Sequence, residues 1–76
     1  MNFLNLTRLN LKLNGEITEN VIYVNPQHIR VFSVHYAENF DMDVTAIGWA
    51  NGSLIETYVK ETPHQIESQL KICLKN

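Results

Sequence analysis

The sequence predicts a mostly β domain of the α+β kind. The expected architecture is a strongly bent five-stranded antiparallel sheet or small SH3-like barrel, with a C-terminal helix closing the order β-β-β-β-β-α. Three observations predict it. Six Val, seven Ile and five Thr fill 18 of 76 positions, most of them between Ile17 and Val59, and branched side chains suit a pleated surface. Asn14-Gly15 and Asn51-Gly52 each separate apolar-rich runs, the strongest short-range hairpin signal. Thr62-Pro63-His64-Gln65 then opens a segment whose apolar residues recur at helical spacing.

The first strand is expected from Phe3 to Leu13. Leu4 and Leu6 fall on one parity, and Leu9, Leu11 and Leu13 on the other. A strand alternates with period two, so one apolar face requires an extra residue, and a β-bulge near Thr7-Arg8 is the expected device. A three-residue loop, Asn14 to Glu16, then sets Leu13 against Ile17 and Leu9 against Val21, apolar against apolar. The second strand runs from Ile17 to Val24. Asn25-Pro26-Gln27-His28 reads as one short turn, with Asn as cap and Pro at the first helical position.

The third strand, Ile29 to Tyr36, carries apolar residues on both parities, which predicts cover on both faces. Residues Ala37 to Asp43 form a polar loop. The fourth strand runs from Val44 to Ala50 and the fifth from Ser53 to Lys60. A two-residue Asn51-Gly52 turn between them pairs Ala46 with Thr57 and Thr45 with Tyr58. Thr45, Ile47, Trp49, Leu54, Glu56 and Tyr58 then share one bulky face. In the helix, Thr62 and Gln65 complete a capping box. Ile66, Leu70, Cys73 and Leu74 form the buried stripe, and Lys71 and Lys75 lie where the helix dipole favours cations. Ile72 falls off the stripe, placed to touch a partner chain.

Size and charge narrow the function classes. A chain of 76 residues is expected to form a single domain, 1–76, and to bury only roughly 60% of its unfolded surface, so outside support is usual. One cysteine allows neither an internal disulfide nor a thiolate zinc cage. A homo-oligomer is the expected support. Net charge is −2 with six basic residues, which argues against binding duplex nucleic acid by neutralising many phosphates. No apolar run reaches 18 residues, so no membrane span is expected, and the start of the chain does not resemble a signal peptide. A cytoplasmic location follows as the default.

Several ordered pieces carry a resemblance. They are Leu6-Thr7-Arg8-Leu9-Asn10, Val24-Asn25-Pro26-Gln27-His28-Ile29, Asn51-Gly52, and Val59-Lys60-Glu61-Thr62-Pro63 before a helix. Together they resemble the FlbD family of very small flagellar and swarming-motility proteins and related short phage or prophage proteins. The first hairpin here is longer than that pattern, with Leu11 where the family turns on Gly, and the 37–43 loop is longer as well. The resemblance implies no enzyme activity, and it suits a phage or prophage protein at least as well as a motility regulator.

No residue pattern points to catalysis, a metal or a cofactor. His28, His35 and His64 match no compact metal motif. Asp41-Met42-Asp43 lacks the rest of a calcium loop. Cys73 reads as a small core residue on the helix stripe. Arg8 and Arg30 are the only arginines, and a guanidinium suits phosphate or carboxylate recognition, although a surface arginine laid over apolar neighbours is commoner. Trp49 and Tyr58 on one hairpin face, with Lys60 following, can stack a planar ligand beside a cation. The same face serves equally as core or as an oligomer interface, which is the commoner outcome.

The sequence thus predicts a non-enzymatic, homo-oligomeric binding module. Its expected target is a small anionic, nucleotide-type ligand or a host protein, in phage counter-defence. Arg8, Arg30, Trp49, Tyr58 and Lys60 are the candidate ligand-binding residues. The alternative is a motility-type regulator that binds proteins through its extended first hairpin.

Overall fold

The structure, a computed structural model, describes residues 3–52 and 57–74. Its elements are β1 (Leu4–Leu11), β2 (Ile17–Val24), a 3-10 turn (Pro26–His28), β3 (Ile29–Ala37), β4 (Met42–Trp49), β5 (Thr57–Val59) and α1 (Pro63–Leu74). The five strands form one antiparallel sheet in the order β2-β1-β5-β4-β3. A closed barrel needs β2 to pair with β3. Among the described residues β2 pairs with β1 and β3 with β4, so both are edge strands of an open sheet.

No bulge interrupts β1. Its ladder with β2 is continuous from Leu4↔Val24 to Leu11↔Ile17. The change of parity has another cause: the sheet is covered on both faces. Leu4 and Leu6 point to the face under α1, where they join Val24, Ile47, Val59 and Ile66 in the main core. Leu9 points to the far face, where it meets Ala37 and Val44, with Phe40 and Tyr58 packed against them. Each parity of β1 therefore has its own core.

Both Asn-Gly turns sit one place later in their hairpins than the sequence reading puts them. Gly15 N–H donates to Lys12 C=O at 3.0 Å, and Gly52 N–H donates to Trp49 C=O at 3.3 Å. Gly15 has φ +86° and Gly52 has φ +79°, while neither Asn has a positive φ. Asn is thus the third residue of each turn and Gly its left-handed fourth. In the first hairpin, where Lys12 N–H donates to Glu16 C=O at 2.8 Å, this makes a three-residue loop. In the first hairpin the loop is Leu13 to Gly15 rather than Asn14 to Glu16, so Leu9 faces Glu19 and Thr7 faces Val21.

In the last hairpin the parity itself changes. Thr45 pairs with Val59, Ala46 with Tyr58 and Ile47 with Thr57. Tyr58 is therefore on the face opposite Thr45, Ile47 and Trp49, and the single bulky face expected from the sequence is divided. Leu54 and Glu56, assigned to that face, lie outside the described residues, as does the start of the fifth strand at Ser53.

The other elements follow their local chemistry. Asn25 Oδ1 accepts from Gln27 N–H at 3.0 Å and caps the 3-10 turn. Thr62 N–H donates to Gln65 Oε1 at 2.9 Å and Gln65 N–H donates to Thr62 Oγ1 at 3.2 Å, a complete capping box. Ile66 is fully buried, and Leu70 and Cys73 pack beside it on the main core. β3 departs from expectation. Ile29 and Phe32 are half-buried and Ala37 is buried, but Val31, Val34 and Tyr36 are exposed. As an edge strand it has one neighbour, so neither face is covered along its length.

Candidate functional site

The five candidate binding residues do not converge. Arg8 lies near the middle of β1, paired with Asn20 on one side and Val59 on the other, and its side chain is exposed on the α1 face. Arg30 is on the β3 edge, at the register shift between Ile29 and Val31. Neither arginine has an ion-pair partner among the described residues. Lys60 follows β5, and its Nζ is 3.4 Å from Glu19 Oε2 across β1. Its charge is thereby answered within the chain, in an exposed pair of the kind that contributes little to stability.

Trp49 and Tyr58 lie on opposite faces. The Trp49 indole is half-buried against the main core, and its Nε1–H donates to Thr57 Oγ1 at 3.1 Å. That bond satisfies both the indole and a buried threonine, so Trp49 acts as a core residue. Tyr58 belongs to the far face. Its ring lies parallel to His35, with centroids 6.0 Å apart and planes 8° from parallel. Phe40 meets it edge-on at 5.8 Å and 81°.

These three rings come together because of two local turns. His35 pairs with Val44 and Tyr58 with Ala46 on adjacent places of the far face. The β3–β4 loop then folds Phe40 onto them. Phe40 N–H donates to Ala37 C=O and Asp41 N–H to Glu38 C=O, each at 3.1 Å, and Asp41 takes a φ of +51°, a value Asp tolerates better than most residues. The rings, together with Tyr36, Ala37, Glu38 and Asn39, line an open cleft of about 310 Å³. Glu38 is the acidic residue of its lining, and Asp41 and Asp43 are exposed at the same end of the sheet.

Tyr36 Oη donates to Asp41 Oδ1. That bond, then desolvation, then the nearby Asp43 charge, hold the phenol above the usual tyrosine range. Negative charge next to the phenol favours its protonated form. The site was hidden from sequence reasoning by one residue of register: a two-residue last turn pairs Tyr58 with Thr45 and sends it to the other face. The signal that carries the true arrangement is the double parity of β1, since Leu9 needs partners away from Leu4 and Leu6.

The chemistry-bearing residues outside the cleft are also dispersed. Among the described residues no three His, Cys, Asp or Glu side chains gather as a metal site. Cys73 packs at the edge of the main core, as its helical spacing predicts. Glu61 has a structural role: its carboxylate accepts from Thr7 N–H at 2.7 Å and from Thr7 Oγ1 at 2.9 Å. No helix among the described residues is long and apolar enough to cross a membrane. No protein-family model matches the chain, and no curated protein or solved structure matches it.

Proposed function

We propose that the chain is a non-enzymatic binding module that works as a homo-oligomer. The observation that carries this reading is where large apolar side chains stand exposed. They lie on both edge strands, at Val21 and Tyr23 on β2 and at Val31, Val34 and Tyr36 on β3, and at the first hairpin's end, where Leu13 is fully exposed. Edge strands with exposed apolar residues are pairing surfaces unless blocked. In the phage or prophage setting that the resemblance implies, the module acts in the cytoplasm in counter-defence by occluding a host protein.

Of the two targets, the protein is better supported than a nucleotide-type anion. Arg8 and Arg30 lie on different strands, Lys60 is engaged by Glu19, and the aromatic cleft is lined by the Glu38 carboxylate and by no Lys or Arg. An anion site built from both arginines requires two copies of the chain. Absorbance near 260 nm in the purified protein separates the targets. A protein-binding module purifies without it, and a stoichiometric ultraviolet-absorbing ligand overturns the choice.

The motility-type alternative rests on the first hairpin. Among the described residues the β1–β5 ladder is registered only at Arg8↔Val59, and residues 11–17 stand exposed beyond it. Shortening the loop between Leu11 and Ile17 abolishes partner capture if the hairpin is the recognition element. Unchanged capture sinks the alternative.

A further inference from the structure

The β3 edge fits a second copy of itself. We propose that two chains pair antiparallel through β3 about a two-fold axis at Val34, which joins their sheets into one of ten strands. The inference rests on the oligomeric reading above and names the interface. A two-fold axis normal to the sheet keeps corresponding faces on the same side, so residues whose numbers sum to 68 stand opposite one another.

That register matches every pair. Val34 meets Val34 and Phe32 meets Tyr36 on the α1 face, beside the main core. Ser33 meets His35 and Val31 meets Ala37 on the far face. Arg30 of one copy arrives beside Glu38 of the other, twice by symmetry. Val31, Val34 and Tyr36 are 51%, 60% and 53% exposed in the single chain, so their contact surface is open. Aromatic and opposite-charge pairs across antiparallel strands are stabilising, whereas like charges opposite one another are not.

Charge selects β3 over the other edge. Arg30 stands at one end of β3 without an ion-pair partner among the described residues. Glu38, Asp41 and Asp43 are exposed at the other end. Antiparallel pairing lays the basic end of each copy on the acidic end of its mate. On β2 the one charged residue is Glu19, already paired with Lys60 of its own chain, so self-pairing there offers no new opposite-charge contact.

Light scattering on a size-exclusion column at about 100 μM is expected to give twice the 8.8 kDa chain mass. Val34→Cys should form a disulfide-linked dimer under mild oxidant, mapped to position 34 by peptide mass. Opposed Cα atoms about 4.5–5.5 Å apart lie within disulfide reach. Val21→Cys on β2 should not cross-link. Arg30→Glu should weaken the dimer about tenfold, and adding Glu38→Arg should restore it, because the reversed pair is again opposite in charge. A dimer that ignores R30E, or that cross-links through position 21, overturns the β3 interface and leaves the oligomeric reading standing. Larger assemblies linked between positions 21 and 34 do the same, in favour of β2-to-β3 contact. A monomer at every concentration overturns both.

Discussion

Glu61 sits where the chain leaves β5 for α1, and β1 there loses its backbone partner. Lys60 N–H still donates to Thr7 C=O at 2.9 Å, but Thr7 N–H is met by the Glu61 side chain at 2.7 Å instead of a peptide carbonyl. Glu61 C=O in turn accepts from the buried Thr45 hydroxyl. One residue thus ends β5, satisfies β1 and anchors β4. Glu61→Ala leaves a part-buried N–H without its acceptor and should cost about 1–3 kcal/mol. Glu61→Gln keeps one acceptor oxygen and should cost less. Urea unfolding of both variants checks the order, and an alanine variant as stable as the parent sinks the account.

A second residue-scale expectation concerns Tyr36. Its phenol donates to Asp41 and faces the Asp43 charge, so ionisation puts a phenolate beside two carboxylates. Titration followed at 295 nm should show one tyrosine ionising at higher pH than an ordinary tyrosine. Asp41→Asn removes the charged acceptor and should move that titration down. An unchanged midpoint in the variant removes the hydrogen bond as the leading cause.

At the scale of elements, α1 was the most legible, because its start is written in adjacent residues. Thr62, Pro63 and Gln65 specify the cap, and Ile66, Leu70 and Cys73 specify the buried stripe. Thr62→Ala loses one arm of the box and should destabilise the protein by about 1 kcal/mol, while Thr62→Ser should be nearly neutral. Thermal melts followed at 222 nm report both. The hairpins were legible as hairpins but not in register. Asn-Gly serves two turn geometries: the two-residue turn needs positive φ at both residues, the three-residue loop only at Gly. Nothing in the dipeptide selects between them. In the first hairpin the displacement preserves parity, so the side-chain faces survive. In the last hairpin parity is lost, and with it the expected grouping of Trp49 with Tyr58.

At the scale of the molecule, the composition implies that a 76-residue chain has little core to spend on stability. The sheet answers this by burying apolar residues on both faces, at the cost of a single large core. Leu4, Leu6 and Ile66 share one cluster, and Leu9 and Val44 belong to the other. A single buried face would require a bulge in β1, and burial on both faces makes it unnecessary. The edge position of β3 does not supply the cover that its two apolar parities predict. The two clusters share no residue, which makes their energetics separable. Leu4→Ala and Leu9→Ala should each destabilise, by about 2–5 kcal/mol, more where the cavity fails to collapse, with Leu9 toward the lower end because its cluster is smaller and more open. Combined, they should add to within about 0.5 kcal/mol. Leu4→Ala with Ile66→Ala should not, since the first truncation opens the cavity that the second enlarges. Double-mutant cycles from urea midpoints, with all variants at one protein concentration so that self-association does not enter, distinguish the cases. Strong coupling between Leu4 and Leu9 would show that the sheet transmits packing strain from face to face, and the molecule would then have one core divided by a sheet.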